Sequence, residues 1–109
     1  LVLSGTTAGA LSAADYGAND WRPDYRRDYP SAAPWISDKN LAFGNDPRLI
    51  TQPTLLLWSN ADMICPVPVG EKLRALIPDS RLFIVHGGDH CFVRDMPGQI
   101  IEAVLRHLG

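Results

Sequence analysis

The chain has 109 residues, of which 46% are hydrophobic and 20% are charged, and its formal net charge at pH 7 is −2. This is the composition of an ordinary globular protein, and the length allows one domain at most. Because the sequence has no basic run, binding to nucleic acid or to an anionic membrane surface has no electrostatic support, and we expect neither. No apolar run approaches the ~20 residues that a membrane-spanning helix needs.

The first eight residues predict the end of a buried strand followed by a turn. Leu1-Val2-Leu3 is continuously apolar, and Ser4-Gly5-Thr6-Thr7 interrupts the run with residues typical of a turn. The chain does not begin with methionine and its start lacks the charged region of a signal peptide, so we expect a fragment, a processed product or part of something longer.

Residues 9–46 predict a lid-like excursion from the sheet. The segment shows no sustained helical or strand period, although Leu11–Tyr16 and Trp35–Phe43 could form short helices. A stretch of this length in a compact domain is usually a functional lid or disordered, and the many aromatic residues argue against disorder. These side chains could line an apolar substrate pocket or anchor the lid to the body; they are Trp21, Tyr25, Tyr29, Trp35 and Phe43.

The charged residues of this excursion also leave alternatives open. Arg22, Arg26 and Arg27 could bind a carboxylate of a substrate or form a solvated surface. At the end of the segment, Asp46-Pro47 is typical of a helix start, with Asp46 as the cap and the proline in the first turn.

Residues 53–90 predict a strand, a helix and a second strand. Thr54–Trp58 and Leu82–His86 are apolar runs. In the first, Leu55-Leu56-Leu57 does not alternate with polar residues, which fits a strand buried on both faces of a parallel sheet. Between them, apolar residues recur at helical spacing over about residues 67–77, with one proline in the first turn and another after the end. A crossover of this length makes the two strands parallel neighbours.

Each of these strands is followed four residues later by a polar side chain, Asp62 after the first and His90 after the second. Parallel neighbours end at the same edge of a sheet, so we expect the two side chains to face each other across adjacent loops. A carboxylate beside an imidazole holds one tautomer and stabilises the imidazolium, as in the acid and base of a nucleophilic triad. Gly87-Gly88 permits a bend that would turn His90 back over the sheet edge. Asp89 is a rival partner, although a sequence neighbour more naturally bonds local backbone.

The last segment predicts an amphipathic helix that ends near residue 108. Asp95 is the expected cap, with Pro97 in the first turn. His107 lies at the C-terminal end, where cations are favoured, and we assign it a structural role. His86, at the end of the second strand, is also expected to be structural.

The two cysteines leave three alternatives open. Cys65 lies three residues after Asp62 and Cys91 directly follows His90, so their sulfur atoms would be close if the two loops touch. They could be partly buried thiols, or they could form a disulfide, which would imply an oxidising compartment. A metal site of Cys65, His90 and Cys91 matches no zinc spacing, and we expect no metal. Cysteine usage does not decide the compartment, and the cytoplasm is assumed.

As an ordered set, residues 50–108 resemble the C-terminal portion of an α/β-hydrolase. In that family the nucleophile, the acid and the histidine follow one another along the chain. Ser59 departs from the pattern, because the family often has glycine before the acid. The matching features, in chain order, are Ile50-Thr51-Gln52-Pro53-Thr54, Asp62, Pro66, Ile77-Pro78, the strand Leu82–Val85, Gly87-Gly88-Asp89-His90, Pro97 and the final helix.

The nucleophile elbow of that family, usually Gly-x-Ser-x-Gly, does not occur in the sequence. Gly5-Thr6-Thr7-Ala8-Gly9 has the outer glycines, with Thr7 at the nucleophile position, but no full strand precedes it and no clear helix follows. We therefore expect the nucleophile upstream of Leu1. The missing N-terminal half of the hydrolase domain, on the same or a separate polypeptide, would then be the partner of this chain.

The resemblance implies an α/β fold, namely the C-terminal part of an α/β-hydrolase with parallel strands, flanking helices and a short lid. Residues 1–109 would form the C-terminal portion of one such domain. This portion would consist of a strand and turn at 1–8, a lid at 9–46 and a strand–helix–strand–helix unit at 47–109. The resemblance also implies a serine-type hydrolase that cleaves a small ester-like carbonyl substrate through an acyl-enzyme, without metal or organic cofactor. His90 would be the general base and Asp62 would orient it, while Trp21 and Trp35 are the candidate substrate-binding residues.

Other functions remain compatible with the same residues. The scaffold also hosts dehalogenases, perhydrolases, acyltransferases and carbon–carbon hydrolases, and the fold does not choose among them. An aspartate as the nucleophile would point to dehalogenation and a serine to esters. Without a nucleophile, the chain would be a non-catalytic fragment or a binding module.

Overall fold

The computed structural model describes residues 1–38 and 44–109, and a three-stranded parallel sheet forms its centre. The strands are β1 (Val2–Ser4), β2 (Thr54–Ser59) and β3 (Ser80–Val85), and β2 lies between the other two. All residues of β2 are buried, which explains its uninterrupted apolar run, whereas β3 alternates between partly buried and exposed positions over residues 80–84 and ends at the buried Val85. Both predicted strands of residues 53–90 are confirmed as parallel neighbours.

Helices cover both faces of this sheet. The main helices are α1 (Arg22–Asp28), α2 (Val67–Leu76), α3 (Phe92–Asp95) and α4 (Pro97–Leu108). The crossover predicted between the two strands is α2, which ends one residue earlier than expected, and the predicted final helix is α4. Shorter 3-10 helices form at Ala13–Tyr16, Pro34–Ser37 and Pro47–Leu49. No described helix is both long and apolar enough to cross a membrane.

Two apolar cores follow from the alternation of side chains along β2. Leu56 and Trp58 point to the face covered by α2 and pack in one cluster with Val69 and Leu73. The residues between them, Leu55 and Leu57, point to the other face and form a second cluster; its remaining members are Val85, Phe92 and Ile100. The sheet is therefore a layer between α2 on one side and α3 with α4 on the other.

The excursion differs in detail from the sequence prediction. The helix α1 was not predicted, because none of its residues is buried and it therefore lacks an apolar period. The segment predicted as a helix over Leu11–Tyr16 is a 3-10 turn, Ala13–Tyr16. Of the helix predicted over Trp35–Phe43, the structure has the 3-10 turn Pro34–Ser37, and residues 39–43 lie outside the described residues.

The two predicted helix caps have opposite outcomes. The carboxylate of Asp46 accepts a hydrogen bond from the backbone N–H of Arg48 at 3.0 Å, so its capping role is confirmed, although the element is a 3-10 turn. The prediction for Asp95 is wrong. The chain already forms the helical turn α3 before Pro97, so Asp95 lies inside that turn and pairs with Arg94, while Met96 occupies the cap position of α4.

Candidate active site

The loop after β2 holds the carboxyl group of Asp62 in one orientation. Its Oδ1 accepts hydrogen bonds from the backbone N–H groups of Ile64, at 2.8 Å, and Cys65, at 2.9 Å. The residue is 1% exposed, and a buried carboxylate needs such partners to offset its lost hydration. Because Oδ1 is occupied by the backbone, Oδ2 is the oxygen that can serve another group.

His90 meets this second oxygen. Its Nδ1 lies 2.8 Å from Asp62 Oδ2, and its side chain is 43% exposed. The expectation that the two side chains face each other across adjacent loops is thus confirmed. With Nδ1–H donating to the carboxylate, the neutral ring keeps its lone pair on Nε2, the atom that a general base uses. The rival partner Asp89 instead accepts from the backbone N–H of Cys91 at 2.8 Å, as expected for a sequence neighbour.

Gly5 completes this pair from the end of β1, and the sequence reasoning missed its role. Its backbone N–H donates to the carbonyl of Leu57 at 3.1 Å, which continues the pairing with β2. A Cβ atom on Gly5 would lie 3.3 Å from His90 Cε1 and 3.4 Å from Asp62 Oδ2. The available signal was a glycine directly after a strand that ends at the same sheet edge as β2.

Two loops carry the pair: the acid loop follows β2 and contains Asp62, and the histidine loop follows β3 and contains His90. Side chains at the end of β2 join them, and the sequence did not single these out for this purpose. The hydroxyl of Ser59 donates a hydrogen bond to the carbonyl of Gly88. Asn60 Oδ1 accepts from the backbone N–H of Gly87 at 2.9 Å, and Asn60 Nδ2 lies 3.0 Å from His86 Nδ1. The expected bend occurs at Gly87, whose φ of +94° is a conformation that favours glycine.

An open cavity of about 740 Å³ lies beside His90. Its wall combines the turn after β1, part of the excursion and the acid loop, and includes Thr7, Leu11, Trp21 and Ile64. The volume falls within the range of small-molecule sites. Of the two candidate substrate-binding residues, Trp21 lines this cavity together with His90. Trp35 is not part of the wall that the described residues form, and it is 63% exposed.

Two further aromatic residues of the excursion, Tyr25 and Tyr29, make ring contacts on α1 and at its end. The ring of Tyr25 lies edge-on to Trp21, at 5.4 Å between centroids, and 5.0 Å from the ring of Tyr29. Phe43 lies outside the described residues. The excursion is fastened to the acid loop by a backbone hydrogen bond of 2.7 Å from the N–H of Asn19 to the carbonyl of Met63.

Each of the three arginines has a partner within the chain. Arg22 lies at the cavity, 3.1 Å from Asp20, with its guanidinium 5.1 Å from the ring centroid of Trp21. Arg26 donates to the hydroxyl and the carbonyl of Ser37, at 3.0 and 2.8 Å. Arg27 is exposed and pairs with acidic neighbours on α1. Of these three arginines, Arg22 is the one that lines the cavity formed by the described residues, and from there it could contact a bound molecule.

Both cysteines are free thiols, so the disulfide alternative is wrong. Cys65 is buried and Cys91 is exposed. Burial raises the pKa of Cys65 to about 12, and the neighbouring Asp62 carboxylate adds to the shift. Within residues 1–38 and 44–109, no group of three or more His, Cys, Asp or Glu side chains is arranged to hold a metal ion.

No protein-family model matches the chain, but solved structures do. A serine hydrolase involved in carbazole degradation, the CarC enzyme, is 27% identical over 76% of this chain and 33% of its own, with a TM-score of 0.63. A hydrolase from Pseudomonas aeruginosa PA01 is 20% identical over 100% of this chain and 55% of its own, with a TM-score of 0.67. A bromoperoxidase from Bacillus anthracis is 23% identical over 94% of this chain and 41% of its own, with a TM-score of 0.61.

The chain has the α/β-hydrolase fold. It corresponds to the C-terminal portion of that fold, as the sequence predicted, and spans 33% to 55% of the length of these three structures. The fold places the ends of neighbouring parallel strands at one edge, where Gly5, Asp62 and His90 meet. The similar proteins carry names of different chemistries, a serine hydrolase and a bromoperoxidase among them, so the fold alone does not identify the reaction.

Proposed function

We propose that this chain supplies the acid and the general base of a serine-type hydrolase that cleaves ester-like carbonyl substrates through an acyl-enzyme. One observation carries the proposal, namely the 2.8 Å contact between His90 Nδ1 and Asp62 Oδ2 beside an open cavity. The carboxylate is buried and fixed, while the imidazole is partly exposed. A base needs this combination, because it must be oriented on one side and reach a reacting group on the other.

The steps follow from the protonation state of the imidazole. As a serine oxygen bonds to the carbonyl carbon of the substrate, His90 Nε2 accepts the serine proton. The Asp62 carboxylate stabilises the resulting imidazolium through the Nδ1–H hydrogen bond. Nε2–H then protonates the leaving alkoxide as its bond to carbon breaks, which leaves an acyl-enzyme. Water adds to the acyl carbon with the same proton transfers, releases the acid and restores the serine.

The proposal needs a nucleophile from outside the described residues, and the open side of β1 is where we place it. Within the described residues β1 pairs with β2 alone, so its other edge has free backbone groups. A strand added there would end beside Gly5 and bring its following residue towards His90. We propose that the N-terminal half of the hydrolase domain, on the same or a separate polypeptide, supplies that strand and the serine.

The cavity is the proposed site of a small-molecule substrate. Trp21 offers an apolar face and lies in the same wall as Ile64 and His90. The wall also carries polar side chains, among them Thr7, Asp20 and Arg22. Polar groups in a small-molecule site fix the orientation of the ligand. Because Trp35 lies outside this wall, the proposal of substrate contact rests on Trp21.

Labelling with a fluorophosphonate probe tests this function. The complete protein should become labelled on one serine, and intact mass followed by peptide mapping should identify it. The His90→Ala variant should react slower by a factor on the order of a thousand, because the general base is lost. His107→Ala is the matched control, since this histidine lies in the last turn of α4, and it should label at the wild-type rate.

The outcome also separates the alternatives. Labelling of His90→Ala at the wild-type rate would refute the role of His90. An unlabelled protein whose upstream segment carries aspartate at the elbow would favour dehalogenation. A protein without any nucleophile would be a non-catalytic module, and hydrolysis would be rejected.

A further inference from the structure

The loop that leads from β3 to His90 is held to the end of β2 by two neighbouring side chains, Ser59 and Asn60. Ser59 donates its hydroxyl hydrogen bond to the carbonyl of Gly88, two residues before the histidine. Asn60 accepts from the backbone N–H of Gly87 at 2.9 Å, and its amide nitrogen lies 3.0 Å from His86 Nδ1. We call Ser59 and Asn60 the loop clamp.

His90 depends on its backbone for its position. Within the described part of the chain its imidazole makes one hydrogen bond, to Asp62 Oδ2, and the side chain is 43% exposed. The preceding Gly87 adopts φ +94°, and glycine has the largest conformational freedom of any residue. After such a bend, His90 Nδ1 stays within hydrogen-bond distance of Asp62 Oδ2 only if the bend itself is fixed.

The contact made by Ser59 is buried and therefore costly to lose. Ser59 is 0% exposed and Gly88 is buried as well. The backbone of Gly88 also lies tight against α3, since a Cβ there would be 2.5 Å from Phe92 Cβ. A buried carbonyl that loses its donor relaxes towards water or another donor. That movement would be transmitted to His90, two residues further on.

We propose that Ser59 and Asn60 are positioning residues, which keep His90 Nδ1 within hydrogen-bond distance of Asp62 by fixing the bend at Gly87 and Gly88. The catalytic meaning of this inference rests on the proposed function, but the Asp62–His90 hydrogen bond can be measured without any turnover. Ser59 is also the position at which the sequence departs from the glycine often found before the acid. The clamp gives that departure a physical role.

Three variants and one control of the complete protein test the clamp by steady-state hydrolysis of p-nitrophenyl acetate. Ser59→Ala and Asn60→Ala should each lower kcat by roughly tenfold to a hundredfold with KM nearly unchanged, because the base is misplaced while the cavity is intact. Asn60→Asp keeps an oxygen for the N–H of Gly87 and should retain more of kcat than Asn60→Ala. Ser80→Ala removes a hydroxyl bonded to backbone carbonyls at the opposite end of β3, and it should keep the wild-type kcat.

Proton NMR of the His90 Nδ1–H provides the second readout. The wild type and Ser80→Ala should show its downfield resonance, and Ser59→Ala and Asn60→Ala should lose it through faster exchange with water. Asn60 is exposed, so its variants leave the apolar cores intact and keep the test valid if Ser59→Ala fails to fold.

Each outcome has a definite reading. Wild-type kcat and an unchanged resonance in the clamp variants would overturn the inference. Equal losses in Ser80→Ala would show a general effect of stability and overturn it as well. A wild type without turnover, in which the clamp variants still lose the resonance, would refute the hydrolase function and leave the clamp supported.

Discussion

Replacing Gly5 by alanine tests whether the backbone after β1 sets the position of the Asp62–His90 pair. A Cβ at this position would lie 3.3 Å from His90 Cε1 and 3.4 Å from both His90 Nδ1 and Asp62 Oδ2. Gly5 also has φ +48°, which alanine adopts only with strain. Gly17 is a matched control, because its φ is +81° and nothing lies within 4 Å of a Cβ there.

The two substitutions share one cost and differ in another. Each places alanine in the left-handed region, which costs roughly 1–2 kcal/mol of the free energy of unfolding. Gly5→Ala also introduces contacts shorter than the ~3.5–4.0 Å that is optimal for carbon atoms. Asp62 is buried and bonded to two N–H groups, so the partly exposed imidazole is the group that moves. A displacement of about half an ångström should lower kcat by roughly tenfold.

Urea denaturation and hydrolysis of a chromogenic ester by the complete protein measure the two effects separately. We expect similar losses of the free energy of unfolding in Gly5→Ala and Gly17→Ala, and a loss of kcat in Gly5→Ala alone. A Gly5→Ala variant with the wild-type kcat would refute the reasoning, since it would show that the backbone at the end of β1 does not determine the position of the His90 imidazole. A comparable loss of kcat in Gly17→Ala would attribute the effect to backbone strain in general.

Three further predictions concern the packing and the thiols. Gly70→Ala should lower the free energy of unfolding by roughly 1–3 kcal/mol, because its Cβ would lie 2.7 Å from Trp58 Cδ2. Gly98→Ala is the control: nothing lies within 4 Å of a Cβ there, so the substitution should raise the free energy of unfolding by roughly 0.5–1 kcal/mol. Urea denaturation that shows a gain for both variants would contradict this. Iodoacetamide should alkylate Cys91 well before Cys65, because burial raises the pKa of Cys65 to about 12, and equal rates by peptide mass would exclude such burial. The raised pKa of Cys65 also makes stability depend on pH. Above pH 9.0 its thiol ionises in the unfolded chain but stays protonated in the folded chain, which favours unfolding. The free energy of unfolding should therefore fall more steeply with pH above 9.0 in the wild type than in Cys65→Ala.

The parts of the structure that the sequence predicted are those set by burial and topology. The run of leucines in β2 is apolar without interruption because both faces of the strand are covered, and that pattern is visible in the sequence. A crossover helix between two such runs makes them parallel, and this alone brings Asp62 and His90 to one edge. The prediction of the pair therefore needed no side-chain detail.

The parts that the sequence did not predict depend on polar contacts. The helix α1 has no buried residue, so no apolar period could reveal it; its first turn is marked instead by Asp20, whose carboxylate accepts the backbone N–H of Arg22 at 3.1 Å. The contact from Ser59 to Gly88 joins residues that are 29 positions apart and exists only in the folded register. The cap predicted at Asp95 followed a sound local rule and failed because an additional helical turn, α3, precedes α4.

The register between β2 and β3 links the Asp62–His90 pair to the clamp. In the structure Ser59 pairs with Val85, and the hydroxyl of Ser59 donates a hydrogen bond to the carbonyl of Gly88, three residues after Val85. A shift of one residue would turn every side chain of β2 to the opposite face, so that the buried hydroxyl would lose Gly88 and Leu57 would exchange cores with Leu56. The apolar cores therefore fix the register, the register brings Ser59 and Asn60 to Gly88 and Gly87, and the proposed role of this clamp is to hold His90 against Asp62. It follows that a substitution in either core that leaves the register intact should lower stability without separating the pair, whereas loss of the clamp should separate the pair at little cost to the cores.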